Sequence, residues 1–199
     1  DANQPGLLAP QGDDGAAHAI GRGIAGRTDH FHFDGGAGHK AEIQQAAAFV
    51  LQELVRDGRC QRSWHSGKAQ HQGYLEDHAM LADGLLSLFE ADADPRWLLA
   101  ARQLLGTIER HFRAEDGSFW FTADDHEQLL ARTRTATESS MPSGTALAVR
   151  AFLRAGLLLG DEALYATGVA ALRSNHALLE RSPVAAPSLV LALQFHLAD

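Results

Sequence analysis

The 199-residue chain is short of cysteine, basic residues and long apolar runs, and each shortage excludes a class of protein. Cys60 is the only cysteine, so the chain can form neither an internal disulfide nor a thiolate metal cage. The 17 Lys and Arg are outnumbered by 25 Asp and Glu, and this net charge of −8 disfavours a nucleic-acid partner. No apolar run approaches the ~20 residues that cross a bilayer, so we expect no membrane partner.

The composition that remains is that of an ordinary soluble, globular protein. Hydrophobic residues make up 45% of the chain and charged residues 21%, in a length typical of one domain. A single cysteine fits a reducing compartment, so we expect a cytoplasmic protein. The chain begins at Asp1 without the charged-then-apolar order of a signal peptide, and we therefore expect a fragment of a longer protein.

Two regions of unlike composition divide the chain at about residue 39. Residues 1–39 are rich in glycine and show no helical periodicity, which predicts an irregular segment that is disordered or read from a shifted frame. From Lys40 onward, apolar residues recur at helical spacing. Helices are predicted at residues 43–57, 75–89, 94–112, 143–160, 161–179 and 188–197, and a small β-hairpin at residues 119–122 and 128–132.

The order of these elements carries a family resemblance. Residues 73–79 read GYLEDHA at a helix start, residues 118–122 read SFWFT, and residues 141–144 read MPSG before another helix. This order resembles the C-terminal helical part of the thioredoxin-domain proteins related to spermatogenesis-associated protein 20. The resemblance implies an all-α fold, a partial (α/α)6 toroid of the six-hairpin glycosidase-like type, here with about three α-hairpins. It also implies a thioredoxin-like domain in the parent protein, N-terminal to this chain.

Glu76 and Asp77 are adjacent carboxylates at a helix start. Adjacent helical residues point about 100° apart, so the two cannot flank one scissile bond as a paired acid and base. One reading is capping and complementation of the helix dipole. The other places a carboxylate in the mouth of the toroid, where it meets a sugar hydroxyl or a transferred proton. His78, at a position where the family usually has Tyr, joins them as a candidate catalytic group that titrates near neutrality.

Candidate substrate-binding residues follow along the chain. Trp120 alternates with two phenylalanines and offers either a sugar-stacking face or core packing. Arg132 and Arg134 share a face if extended, where they hold an anionic substrate or pair with Glu138. Ser143 begins a helix whose free backbone N–H groups suit an oxygen-rich ligand, although it is also a simple helix cap.

Neither a metal nor another cofactor is expected. The histidines in residues 29–34 stand at alternate positions, as zinc ligands on a strand do, but they lie in the glycine-rich region without a second ligand pair. We therefore predict no metal site.

The leading function is that of a carbohydrate-active domain of the epimerase or glycoside-processing type, with a carbohydrate ligand; it rests on the resemblance. The alternative is a non-catalytic helical scaffold or partner-binding domain. Because half a toroid exposes the flanks of its inner helices, we also expect association into a homodimer. In either case Glu76, Asp77, Arg132 and Ser143 are predicted to converge on one side of the helical layer.

Overall fold

A computed structural model describes residues 37–126 and 131–198 of the chain, which are mostly helical. The histidines of residues 29–34 and nearly all of the glycine-rich segment lie outside the described residues. The helices are α1 (Ala37–Glu53), α2 (Leu75–Asp92), α3 (Pro95–His111), α4 (Gly144–Leu159), α5 (Glu162–Ser174), α6 (His176–Arg181) and α7 (Pro187–Leu197). Within the described ranges, none of them has both the length and the apolar content that a bilayer-crossing helix needs.

A three-stranded antiparallel sheet between α1 and α2 was not anticipated from the sequence. Its strands are β1 (Val55–Arg56), β2 (Arg59–His65) and β3 (Lys68–Gln72), in that spatial order. The two connections are Asp57-Gly58 and Ser66-Gly67, with φ values of 52° and 75° and of 49° and 75°. Positive φ at both central residues is the geometry of a tight hairpin turn. The Asp57-Gly58 pair, which predicts the end of a helix, instead forms the turn between β1 and β2.

The hairpin predicted at residues 119–122 and 128–132 is wrong for the part of it that is described. Phe119 makes only an isolated bridge, to Arg113, and residues 127–130 are outside the described ranges. The backbone bonds of this stretch go to three different places. Trp120 N donates to Phe112 O at 2.7 Å, Phe121 N to Thr133 O at 2.8 Å, and Phe121 O accepts from Leu75 N at 3.0 Å. The aromatic stretch is therefore a loop that joins helix ends.

The predicted helix starts are confirmed by their caps. Side chains at three N-cap positions accept hydrogen bonds from the backbone of the first turn, which satisfies N–H groups that lack a partner within the helix. The Asp94 side chain accepts from Arg96 N, the Ser143 side chain from Ala146 N, and the Asp161 side chain from Ala163 N and Leu164 N. Pro95 occupies the first position of α3, where its fixed φ suits the helix and its missing N–H leaves no hydrogen bond unmade.

Helices α2 and α4 run parallel, because contacts join their starts and, through Glu90 and Arg154, their later turns; α7 follows the same direction, with its end beside the end of α4. Gly144 at the start of α4 lies so close to Glu76 that a Cβ atom there would stand 3.0 Å from Glu76 N. At the far end, a Cβ on Gly156 would meet Tyr165 at 2.7 Å, and the Tyr165 hydroxyl lies 2.9 Å from Nδ1 of His196 in α7. We call the edge formed by the first turns of α2, α4 and α7 the N-terminal rim.

Buried charges cross the interface between α2 and α4. Asp83, whose side chain is 1% exposed, is paired with both Arg150 and Arg154. Arg154 also reaches Glu90 at 2.9 Å. Around this ionic contact the core is aliphatic and aromatic, and its largest fully buried side chains are Trp97, Phe112, Phe119 and Phe152. The charges fix the register of α2 and α4 within an interface that is largely apolar.

Candidate ligand-binding rim

Arg62 on β2 holds the two candidate carboxylates of α2. Its Nη1 lies 3.0 Å from Glu76 Oε1 and 3.1 Å from Asp77 Oδ2, and its guanidinium lies over the Tyr74 ring at 4.7 Å from the centroid. The Tyr74 ring stacks in turn on Phe121, with centroids 4.7 Å apart. The sheet thus contributes the cation that binds both carboxylates and also stacks on the Tyr74 ring.

The Asp77 carboxylate has more hydrogen-bond partners within the protein than the Glu76 carboxylate. Its Oδ2 also accepts from Tyr74 N at 2.8 Å, which ties the first turn of α2 to the residue before it. Burial raises the pKa of the Asp77 carboxyl, outweighing the Tyr74 hydrogen bond and Arg62, which both lower it. Glu76, with a third of its side chain exposed, is the freer of the two acids.

His78 is buried between the sheet and α2, with 1% of its surface exposed. Its Nδ1 lies 2.8 Å from the carbonyl of Tyr74, and its Nε2 accepts from Cys60 N at 3.0 Å. These two partners require a neutral ring with its proton on Nδ1. Burial lowers the pKa of His78 to about 4. With both nitrogens used inside the protein, the ring joins β2 to the start of α2.

Ser143 and Gly144 place the mouth of α4 beside the acids. The Ser143 hydroxyl accepts from Ala146 N at 3.1 Å and is therefore used as the cap. Gly144 allows the backbones of α4 and α2 to approach, since a side chain there would clash with Glu76. The predicted proximity of Ser143 to the Glu76–Asp77 pair is confirmed.

Glu138 lies on the same rim but serves α7. Its two carboxylate oxygens accept from Ser188 N and Ser188 Oγ, both at 3.0 Å. Its own N–H donates to Ala185 O at 2.8 Å. The acid therefore binds the first turn of α7, in the place where a helix dipole favours negative charge.

The two arginines contact Trp120, as their predicted shared face allows. The guanidinium carbons lie 5.1 Å (Arg132) and 4.1 Å (Arg134) from the centroid of the half-buried indole. Arg134 pairs with Asp116. Arg132 Nη2 donates to the carbonyls of His111, at 3.2 Å, and Thr122. Because His111 ends α3 beside the start of α2, this cluster also lies at the N-terminal rim.

An exposed group beside this cluster has the composition of a metal site. His111, Asp124 and Asp125 each offer a ligand atom, all within 4.8 Å of one another. However, Asp124 Oδ1 lies 2.8 Å from His111 Nδ1, and both oxygens of Asp125 accept from Arg59 at 2.6 and 2.8 Å. These internal partners already account for the geometry of the group.

Sequence reasoning missed Arg62 and Tyr74, the two residues that organise the acids. Arg62 lies in the unpredicted sheet, whose signal in the sequence was the two turn pairs Asp57-Gly58 and Ser66-Gly67. Tyr74 was part of the GYLEDHA motif, but its importance depends on Phe121, 47 positions away, which no local pattern reveals.

Sequence comparison finds relatives with one shared name, and no family model matches the chain. Human spermatogenesis-associated protein 20 is 28% identical over 149 residues, which is 70% of this chain and 19% of that protein. The mouse protein is 26% identical over 165 residues and the rat protein 28% over 164, covering 77% and 76% of this chain and 21% of each relative. The chain is therefore similar to spermatogenesis-associated protein 20 and spans about a fifth of the length of these curated relatives.

Proposed function

We propose that this chain is part of an (α/α) toroid and that its N-terminal rim binds a carbohydrate, in a parent protein of the epimerase or glycoside-processing type. The parallel course of α2, α4 and α7, with α3 and α5 packed beside them, supports the toroid. The family resemblance supports a carbohydrate ligand, and it also suggests that the thioredoxin-like domain of the parent is the partner of this chain.

The observation that carries the proposal is the position of Glu76. Its side chain is partly exposed, and its carboxylate has Arg62 as hydrogen-bond donor, while its backbone lies against the first residue of α4. A carboxylate in this setting accepts hydrogen bonds from sugar hydroxyls. Asp77 is the candidate proton donor, since burial raises the pKa of its carboxyl and so favours the protonated acid.

The alternative is a non-catalytic scaffold, and a specific observation favours it. Asp77 and His78 both have internal partners that hold α2 to the sheet and to Tyr74. Arg62 bridges both acids, as a structural ion pair would. In this reading the rim supports the neighbouring domain or a second copy of the chain.

Two isosteric variants separate these functions. Binding of a panel of aminosugars and disaccharides is measured calorimetrically on the wild type, Glu76→Gln and Asp77→Asn, with melting temperatures alongside. Under the carbohydrate proposal, Glu76→Gln loses binding while its melting temperature changes little. Turnover of the full-length parent should be lost in Asp77→Asn.

Glu162→Gln is the matched control, because Glu162 is exposed at the start of α5, next to the end of α4 and so opposite the rim. It should bind like the wild type. If no sugar binds the wild type, and the rim variants change only stability, the scaffold reading replaces the carbohydrate one.

A further inference from the structure

Arg132 is a half-buried cation without a carboxylate partner in the described part of the chain. By contrast, the neighbouring Arg134 forms an ion pair with Asp116, and Arg62 forms ion pairs with both Glu76 and Asp77. Arg132 instead uses Nη2 on two backbone carbonyls, while its Nε is buried with no hydrogen-bond partner among the described residues. The carbonyls fix the direction of the guanidinium but do not neutralise its charge.

The remaining donors of Arg132 define what would complete the site. Nη1 has no partner within residues 37–126 and 131–198, and the guanidinium is held against the Trp120 indole. Asp124 is close enough for its charge to act on Arg132, but its carboxylate lies 2.8 Å from the His111 ring. A guanidinium that is fixed, stacked on an aromatic ring and lacking an acid matches the geometry of a carboxylate or phosphate group.

We propose that Arg132 binds the anionic group of the ligand and that the ligand is therefore an acidic sugar, one bearing a carboxylate or a phosphate. The sugar part of this inference rests on the carbohydrate function proposed above. Arg134, stacked at 4.1 Å on the same indole, extends the positive surface beside it. A polymeric polyanion is a poor fit, since the chain as a whole carries a net charge of −8.

The test follows the Trp120 indole N–H and the Arg132 Nε–H by NMR while ligands are titrated into the 199-residue chain. The probes are glucuronate, glucose 6-phosphate, glucose and inorganic phosphate, and Trp120→Phe assigns the indole signal. We expect the two acidic sugars to shift both signals, more weakly at high salt, and glucose to shift neither. Arg132→Gln should weaken their binding at least about tenfold.

Arg96→Gln is the matched control. Arg96, like Arg132, stacks on a tryptophan, Trp97, at 4.1 Å, but it pairs with Asp94 and lies at the start of α3, away from the rim. It should bind the acidic sugars like the wild type. Arg132→Lys keeps the positive charge but loses the two-pronged donor geometry of the guanidinium, so it should bind the acidic sugars with intermediate strength. If Arg132→Gln does not fold, the shift of the wild-type Arg132 Nε–H signal still tests the contact.

The outcomes separate this inference from the function it builds on. If glucose and the acidic sugars bind equally in wild type and Arg132→Gln, the acidic-ligand inference is overturned and the carbohydrate function stands. If inorganic phosphate binds as well as the sugars, through Arg132, the anion contact stands and the carbohydrate function falls. If no probe moves either signal, the inference is overturned.

Discussion

Gly144 packs directly on Glu76, and this contact sets the distance between α2 and α4 at the rim. A Cβ atom built on Gly144 would lie 3.0 Å from both the Cα and the N of Glu76. Backbone atoms cannot move aside as a flexible side chain does. Two helix starts are therefore brought together where the sequence places a glycine directly after a cap.

Gly144→Ala should destabilise the protein, because the added methyl group forces the two backbones apart. We expect a loss of about 1–3 kcal/mol in the free energy of unfolding, measured by urea denaturation. Gly106→Ala is the control, since a Cβ there meets nothing within 4 Å, and it should raise stability by about 0.5–1 kcal/mol. Equal effects of the two substitutions would contradict the close approach.

Removing Asp83 should be among the most damaging changes in the chain. Asp83→Ala leaves Arg150 and Arg154 without their shared partner in a buried interface, a loss of about 3–5 kcal/mol. The exposed pair of Asp125 with Arg59 is the control, and Asp125→Ala should cost at most about 1 kcal/mol. Denaturation curves that give both variants the same midpoint would show that the buried network is not structural.

The helices were predictable because their signals are local. Asp94-Pro95, Ser143 and Asp161 each combine a cap with an apolar stripe behind it, and the structure starts a helix at each. The sheet was missed since β2 is polar and its burial shows no clear alternation. Only the two turn pairs, Asp57-Gly58 and Ser66-Gly67, indicated strands in this region.

The candidate site was predictable in the residues at helix starts and in the loop residues Trp120, Arg132 and Arg134. Glu76, Asp77 and Ser143 were located by their positions at helix starts. Their partner Arg62 depends on how β2 folds over α2, which is a tertiary contact. The aromatic loop was assigned as a hairpin because residues 118–122 have high strand propensity, whereas its backbone groups bind helix ends instead.

Glu138 should matter to α7 more than to any ligand. Glu138→Ala removes both acceptors of Ser188 and should lower the free energy of unfolding by about 0.5–2 kcal/mol, as the loss of a helix cap does. Hydrogen exchange should show the loss of protection concentrated in α7. Glu180→Ala, an exposed change, should stay within about 0.5 kcal/mol of the wild type. Unchanged protection of α7 in Glu138→Ala would refute this role.

His78 should make the fold sensitive to mild acid. Its pKa is about 4 in the folded chain, against a reference value of 6.5, because burial disfavours the charged ring. Between these values the unfolded chain binds a proton that the folded chain does not. The His78 contribution is therefore complete above pH 6.5 and is lost as the pH falls towards 4, a change of roughly 3 kcal/mol.

His78→Gln is the variant that checks this. Urea denaturation at a series of pH values should give a flatter decline for the variant than for the wild type, although the variant is less stable at neutral pH. Asp77, whose raised pKa acts with the opposite sign, is present in both proteins, so their difference isolates the imidazole. His71→Asn replaces an exposed histidine and should keep the wild-type slope. A variant that declines as steeply as the wild type would show that His78 is not the neutral, buried link between β2 and α2.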